Sequence, residues 1–294
     1  MSLTLATCIA ALVAAVCAAI AVWRVRGSTA VPAAWWAVAA CLALAYDAGS
    51  RVDDPFDPAR AARMRLAVAA LAVCPAMSLL GAKRPQHGVW QLIVASLAVV
   101  IAMPALSAWL MRPGSLPDVH LLGRGFLALL AAVGWMNFVA TRNGLAATLI
   151  TAGQLAVIRP FLPGIATDRA LPQDSLDCVG AGLIAAGAVL AVVWPLLWGR
   201  ATGTKAIDAV SRSIDPPFLA LRETLGAAWA LRIAERFDSV ASDRGWPCRL
   251  TFRGADVGGD PADTSWHRDA LRAFKALMNR FVDDGWLARH GWGG

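Results

Sequence analysis

Cys248, His267 and Asp269 have the side-chain types that a nucleophile, its general base and an orienting acid require. The pattern around Cys248 argues against that use. Residues 247–254 alternate, with Cys248, Leu250 and Phe252 on one face and Arg249, Thr251 and Arg253 on the other. Such alternation marks a half-buried strand, so the thiol falls on its apolar face and reads as a packing residue. Cys8, Cys17, Cys41, Cys74 and Cys178 lie in or beside apolar runs, and no two of the six cysteines form a CxxC pair. A zinc site or a disulfide framework is therefore not expected. His87 and His120 sit in different loops, and the only glutamates, Glu223 and Glu235, exclude an HExxH motif. The run Gly254 to Gly259 lacks the lysine and the spacing of a phosphate-binding loop. No catalytic residue, cofactor or metal is expected, and the chain reads as a protein without enzymatic activity.

Asn137 and Gln154 remain, the polar side chains set deepest in apolar sequence. They could line a solute path or hydrogen-bond each other between adjacent helices, a contact typically worth under about 2 kcal/mol. The structural role is favoured. No Asp, Glu, Lys or His is expected in mid-span, which weighs against an ion-coupled transporter.

The elements carrying these residues are apolar and long. Hydrophobic residues make up 58% of the 294 and charged residues 16%, against about 45–50% and about 25% in soluble domains. Residues 1–198 hold 13 of the 27 Lys/Arg and 8 of the 20 acids, so charge is concentrated in residues 199–294. A near-neutral, charge-dense tail lacks the one-signed patch that nucleic acid needs, and no nucleic-acid partner is expected.

Crossing about 30 Å of hydrocarbon takes roughly 20 apolar residues. Seven stretches qualify or nearly so: Leu3–Trp23, Ser28–Tyr46, Leu66–Ala82, Val89–Met111, Leu121–Ala140, Gly144–Ile158 and Cys178–Trp198. Pro75, Pro104 and Pro195 are tolerated as kinks in such helices. The sixth stretch is short and needs residues 159–165 to span, so six spans with a re-entrant segment is the alternative. Asp47 to Arg65 reads as a polar loop ending in a lead-in to the third helix. Ladders of small residues, Ala6/Ala10/Ala14/Ala18 and Cys178/Gly182/Ala186, permit close helix approach.

The expected architecture is an all-α transmembrane bundle of about seven helices over residues 1–198, followed by a small α/β extramembrane module over 199–294. In the module, Leu221, Leu225, Trp229, Ile233, Phe237 and Val240 form one apolar stripe of a helix that starts at Asp215-Pro216-Pro217. The strand at 247–254 needs a partner, with Trp286–Trp292 the nearest candidate. Residues 255–263 read as a loop, and a second helix begins near Thr264 with Leu271, Phe274, Leu277, Met278 and Phe281 inward. Trp286 and Trp292, outside any stripe, are expected to anchor at lipid headgroups.

The stretch Cys74 to Gln86, with its Leu-Gly-Ala-Lys-Arg-Pro corner, then Trp90-Gln91 and Met103 to Leu106, resembles a family of uncharacterised bacterial multi-pass membrane proteins. The likeness covers about residues 70–110 and, more weakly, Trp229 to Leu250. It implies a bacterial cytoplasmic (inner) membrane and brings no activity or site residues. Lys83 and Arg84 read as cations at the headgroups.

The expected partners are the lipid bilayer and a protein docked on the C-terminal module. The expected role is a non-catalytic subunit or scaffold of a membrane complex. A transporter or flippase for a neutral or lipid-like solute is the alternative. The module is expected in the cytoplasm, although counting Lys/Arg in the loops alone opposes that side.

Overall fold

The computed structural model describes residues 2–53, 57–83, 87–112, 114–163, 172–197, 209–258 and 264–292. Its membrane-type helices are α1 (Ser2–Arg24), α2 (Val31–Asp53), α3 (Pro58–Leu80), α4 (His87–Leu110), α5 (Leu121–Val139), α6 (Gly144–Ile158) and α7 (Gln173–Leu197). All seven are long and apolar enough to cross a membrane, α6 once its terminal 3-10 turn to Phe161 is counted. Pro75 and Pro104 lie inside α3 and α4 without ending them.

Successive helices run antiparallel. α1 packs on α2 and α7, α2 on α3, α3 on α4, α5 and α6, α5 on α6, and α6 on α7. Six helices thus close a ring, and α4 lies outside it against α3. Leu5, Val16, Leu92, Val100, Trp109 and Met136 are exposed on the perimeter. Apolar surface this extensive is foreign to a water-soluble monomer. The close approach of α6 to α7 runs through Gly153 and Gly180, where an added Cβ on either would strike the other's carbonyl. Gly182 of the expected ladder meets nothing there.

The second helix corrects the sequence reading. It continues through Asp53, and α3 starts at Pro58 with the Asp57 side chain accepting from the Arg60 N–H at 2.9 Å. What reads as a long loop is two helix ends, with Asp47 and Arg51 on α2.

The C-terminal segment contains α8 (Ala209–Leu225), α9 (Ala227–Asp243), β1 (Cys248–Thr251), β2 (Gly254–Val257), α10 (His267–Met278) and α11 (Asp284–Arg289). The helix expected from Asp215 starts at Ala209, carries both prolines inside and breaks at Gly226. The apolar stripe survives the break, with Leu221, Leu225, Trp229, Ile233 and Phe237 all buried. The partner of β1 is β2, not residues 286–292, which are mostly helical. The pair is antiparallel with Leu250 opposite Ala255 and Thr251 opposite Gly254, so residues 255–257 are strand where a loop was expected. The outward N–H groups of Leu250 and Ala255 donate to the carboxylates of Asp238 (2.6 Å) and Asp215 (2.7 Å).

Phe218, Phe237, Phe274, Met278 and Trp286 centre this segment's core, which also takes in Ala30 and Ala82 from the bundle. Ser28 bridges to Val282, and the Thr29 N–H donates to the Phe281 carbonyl at 2.8 Å. The segment therefore sits on one end of the bundle, the end where α1, α3 and α5 finish.

Candidate functional site

The bundle holds a half-open cavity of 1370 Å³ that runs from its middle to the end covered by the C-terminal segment. Every membrane-type helix but α4 contributes to its wall. Small residues make the room: Ala14, Ala18 and Ala21 on α1, Ala37 and Ala40 on α2, Ala147 on α6, Ala188 and Ala191 on α7. Larger side chains at these positions would each take up part of the space, so the alanine-rich composition has a volume consequence as well as a packing one. Ala146 and Val157 both line it and lie about 16 Å apart along α6 at about 1.5 Å per residue. The depth is thus about half of the roughly 30 Å of hydrocarbon in a bilayer.

Polarity enters this space at two levels. Thr151 and Gln154 reach the wall at depth. The Gln154 amide donates to the Ala72 carbonyl at 2.8 Å, next to the carbonyl of Leu71 whose helical N–H partner is missing at Pro75. At the mouth stand Arg24, Arg26, Arg142, Arg289 and His290, with Glu223 and Asp283.

Asn137 does not meet Gln154. Its Nδ2 donates to the Leu225 carbonyl (2.9 Å) and its Oδ1 accepts from the Ala228 N–H (3.0 Å), joining α5 to the α8–α9 junction. Both residues are structural hydrogen-bonders to backbone, and Gln154 alone also borders the cavity. Nothing in the sequence marked Leu225 and Ala228 as Asn137's partners, because the break at Gly226 that opens them was hidden inside an unbroken apolar stripe.

A second polar constellation lies at the opposite end. Asp47 and Asp177 are buried, and Asp177 Oδ2 accepts from Arg51 Nη1 at 2.6 Å and Arg65 Nη2 at 2.8 Å. Arg51 also pairs with Asp47 one turn earlier on α2, while Gln173 Nε2 donates to Asp177 Oδ1 at 2.9 Å. The cluster clamps α2, α3 and α7, and it does not border the cavity. Sequence reasoning missed it because α2 was expected to end before Asp47. The i, i+4 spacing of Asp47 and Arg51 was the available signal.

The remaining expected sites divide. Trp286, expected at headgroups, is 0% exposed and stacks on His290 inside the segment's core. Trp292 is half-buried and stacks on Phe274 at 5.7 Å. Lys83 is half-buried just beyond α3, and Arg84 lies outside the described residues. The corner before Lys83 is shaped by Trp90, whose ring occupies the space a side chain at Gly81 would need and whose Nε1 donates to the Met77 carbonyl at 2.9 Å. Cys248 is buried, whereas Asp269 is exposed beside Arg244 and Arg272, so no nucleophile–base–acid set assembles. His120 caps α5 at the end of the bundle away from the start of α4, where His87 sits. Among the described residues no His, Cys, Asp and Glu gather into a group that could hold a metal ion.

Comparison with protein-family models, with curated proteins and with solved structures finds no match.

Proposed function

We propose that the chain is a polytopic integral membrane protein that binds a lipid-like molecule between its helices, in the class of lipid transporters or flippases. The cavity is the observation that carries this reading. Its 1370 Å³ exceeds the roughly 300–1,000 Å³ of ordinary small-molecule pockets. Its wall is mostly apolar and its mouth is charged, which suits a molecule with an acyl tail and a polar head. The exposed apolar perimeter supports immersion of the bundle in a bilayer.

A scaffold whose C-terminal segment docks a protein partner has less support. It rested on an unpaired strand and a tryptophan-rich tail beside a bundle without functional charges, yet β1 is paired and Trp229, Trp266 and Trp286 are buried. For location we keep the bacterial cytoplasmic membrane, supported by the resemblance of residues 70–110, with the C-terminal segment in the cytoplasm. Arg24, Arg26, Lys83, Arg84 and Arg142 then face the cytoplasm. Two of the arginines that count against this side, Arg51 and Arg65, are held in ion pairs.

The test is purification from native membranes in mild detergent followed by mass spectrometry of extracted lipid. The wild-type protein should carry lipid stoichiometrically, and Ala188→Trp, which sets an indole into the apolar part of the cavity, should carry less. Equal lipid in both preparations would refute the reading.

A further inference from the structure

We infer that the mouth of the cavity is a headgroup site for an anionic phospholipid from the leaflet on the side of the C-terminal segment. The inference rests on the cavity reading above and adds the chemistry of the head. Arg24, Arg26, Arg142 and Arg289 stand around one opening. Among the described residues none of the four takes part in an ion pair.

Two of them are held in place. Arg24 Nη1 donates to the Val192 carbonyl of α7 at 2.7 Å, and Arg289 Nη2 donates to the Arg26 carbonyl at 2.6 Å. Both bonds leave further N–H groups of the guanidinium for a ligand. Arg26 and Arg142 are exposed, on opposite sides of the opening, and their side chains make no hydrogen bond among the described residues.

Of the two acids at the same opening, Glu223 is paired with Arg222 and Asp283 caps a helix, and even with both charged the arginines are in excess. Glu223 Oε1 accepts from Arg222 Nη2 (2.6 Å) and Nε (3.0 Å), while its Oε2 accepts the Arg142 backbone N–H (2.9 Å). Asp283 Oδ1 accepts the Trp286 N–H at 2.6 Å as the cap of α11. Four cations that form no ion pair among the described residues, above an apolar shaft of acyl-chain depth, match a phosphate joined to a hydrocarbon tail. Guanidinium forks suit phosphate oxygens because they offer paired donors in one plane. A zwitterionic or neutral head would leave the excess positive charge unmet.

Native mass spectrometry of the full-length protein in detergent, with three probes, tests the inference: dioleoyl phosphatidylglycerol, dioleoylglycerol with the same tails and no phosphate, and inorganic phosphate. Wild type should retain the phosphatidylglycerol about tenfold better than dioleoylglycerol, the ratio expected of one strong charge-assisted contact. The double variant Arg26→Gln/Arg142→Gln should bring that ratio toward one while dioleoylglycerol retention stays unchanged. Ala188→Trp should retain less of both lipids.

Equal retention of the two lipids by wild type, or a preference that survives the double variant, overturns the headgroup inference and leaves the cavity reading standing. Phosphatidylglycerol retention that Ala188→Trp leaves unchanged would place the lipid outside the cavity and also overturns it. So does full displacement of phosphatidylglycerol by inorganic phosphate, which would mark a free-phosphate site. Retention of neither lipid by wild type ends both readings.

Discussion

Asn137 and Gly226 fit each other as a clamp and its slot. Gly226 separates α8 from α9 at φ 87°, and a Cβ there would collide with the Asn137 side chain. Because the chain turns at that point, the Leu225 carbonyl and the Ala228 N–H lose their helical partners, and one carboxamide replaces both. One side chain thus ties α5 to the α8–α9 junction, beside the links that Ser28, Thr29 and Arg289 make between the bundle and the C-terminal segment.

Asn137→Ala should cost about 1–3 kcal/mol, the usual penalty for orphaning a buried group such as the Leu225 carbonyl. Gly226→Ala should cost at least as much, from positive-φ strain and from expelling Asn137. The two changes destroy the same hydrogen bonds, so the double variant should be less destabilised than the sum of the singles. Thermal unfolding in detergent and protease sensitivity of residues 209–292 measure both effects. Strict additivity would mean that the contact is incidental.

The far end offers a sharper contrast among charges. Arg51→Met strips Asp47, which is 0% exposed, of its cation and removes one of two from Asp177. A buried pair broken on one side costs about 3–5 kcal/mol. Asp174 touches the same arginines at 3.4 and 3.8 Å but is 58% exposed, so Asp174→Asn should change stability by about 0–1 kcal/mol. Comparable losses in the two variants would show that the cluster is solvated and not a clamp.

These sites differ in how readable they are from sequence. The seven spans follow from run length, because hydrocarbon thickness sets the length an apolar helix needs. The stripe from Leu221 to Phe237 was readable for the same reason a helical period is, yet a four-residue spacing is kept across Gly226 and so concealed the break. Asp47 shows the complementary error: its charge suggested a loop, yet Arg51 one turn on pairs with it inside α2, and Arg51 is tied in turn to Asp177 of α7, which Arg65 of α3 also holds. The cavity was not legible at all. An alanine reads the same whether its missing volume is filled by a neighbouring helix, as at Ala181, or left open, as at Ala188.

At the turn after α3, Gly81 leaves room for the indole of Trp90. Gly81→Ala should displace that ring and with it the hydrogen bond to the Met77 carbonyl, at a cost of about 1–3 kcal/mol for overpacking. Gly81→Ala combined with Trp90→Leu should relieve the collision and recover part of the loss, read as a rise in the unfolding temperature over the single variant. No recovery would mean that the corner is fixed by something other than this contact.

Seven crossings would put the two ends of the bundle on opposite sides of the membrane, and this can be read with cysteines placed at each end. The native Cys248 is unsuited because it is buried. Ser242 on α9 and Asp118 before α5 are exposed and lie at opposite ends. In a background with all six native cysteines replaced, Asp118→Cys should react with a membrane-impermeant thiol reagent in intact cells, and Ser242→Cys only after permeabilisation. The reverse pattern keeps seven spans and inverts the orientation, moving the arginine-lined mouth to the other leaflet. Labelling of both in intact cells, or of neither, would mean an even number of crossings. In that case α6, the shortest of the seven membrane-type helices, is the one that turns back.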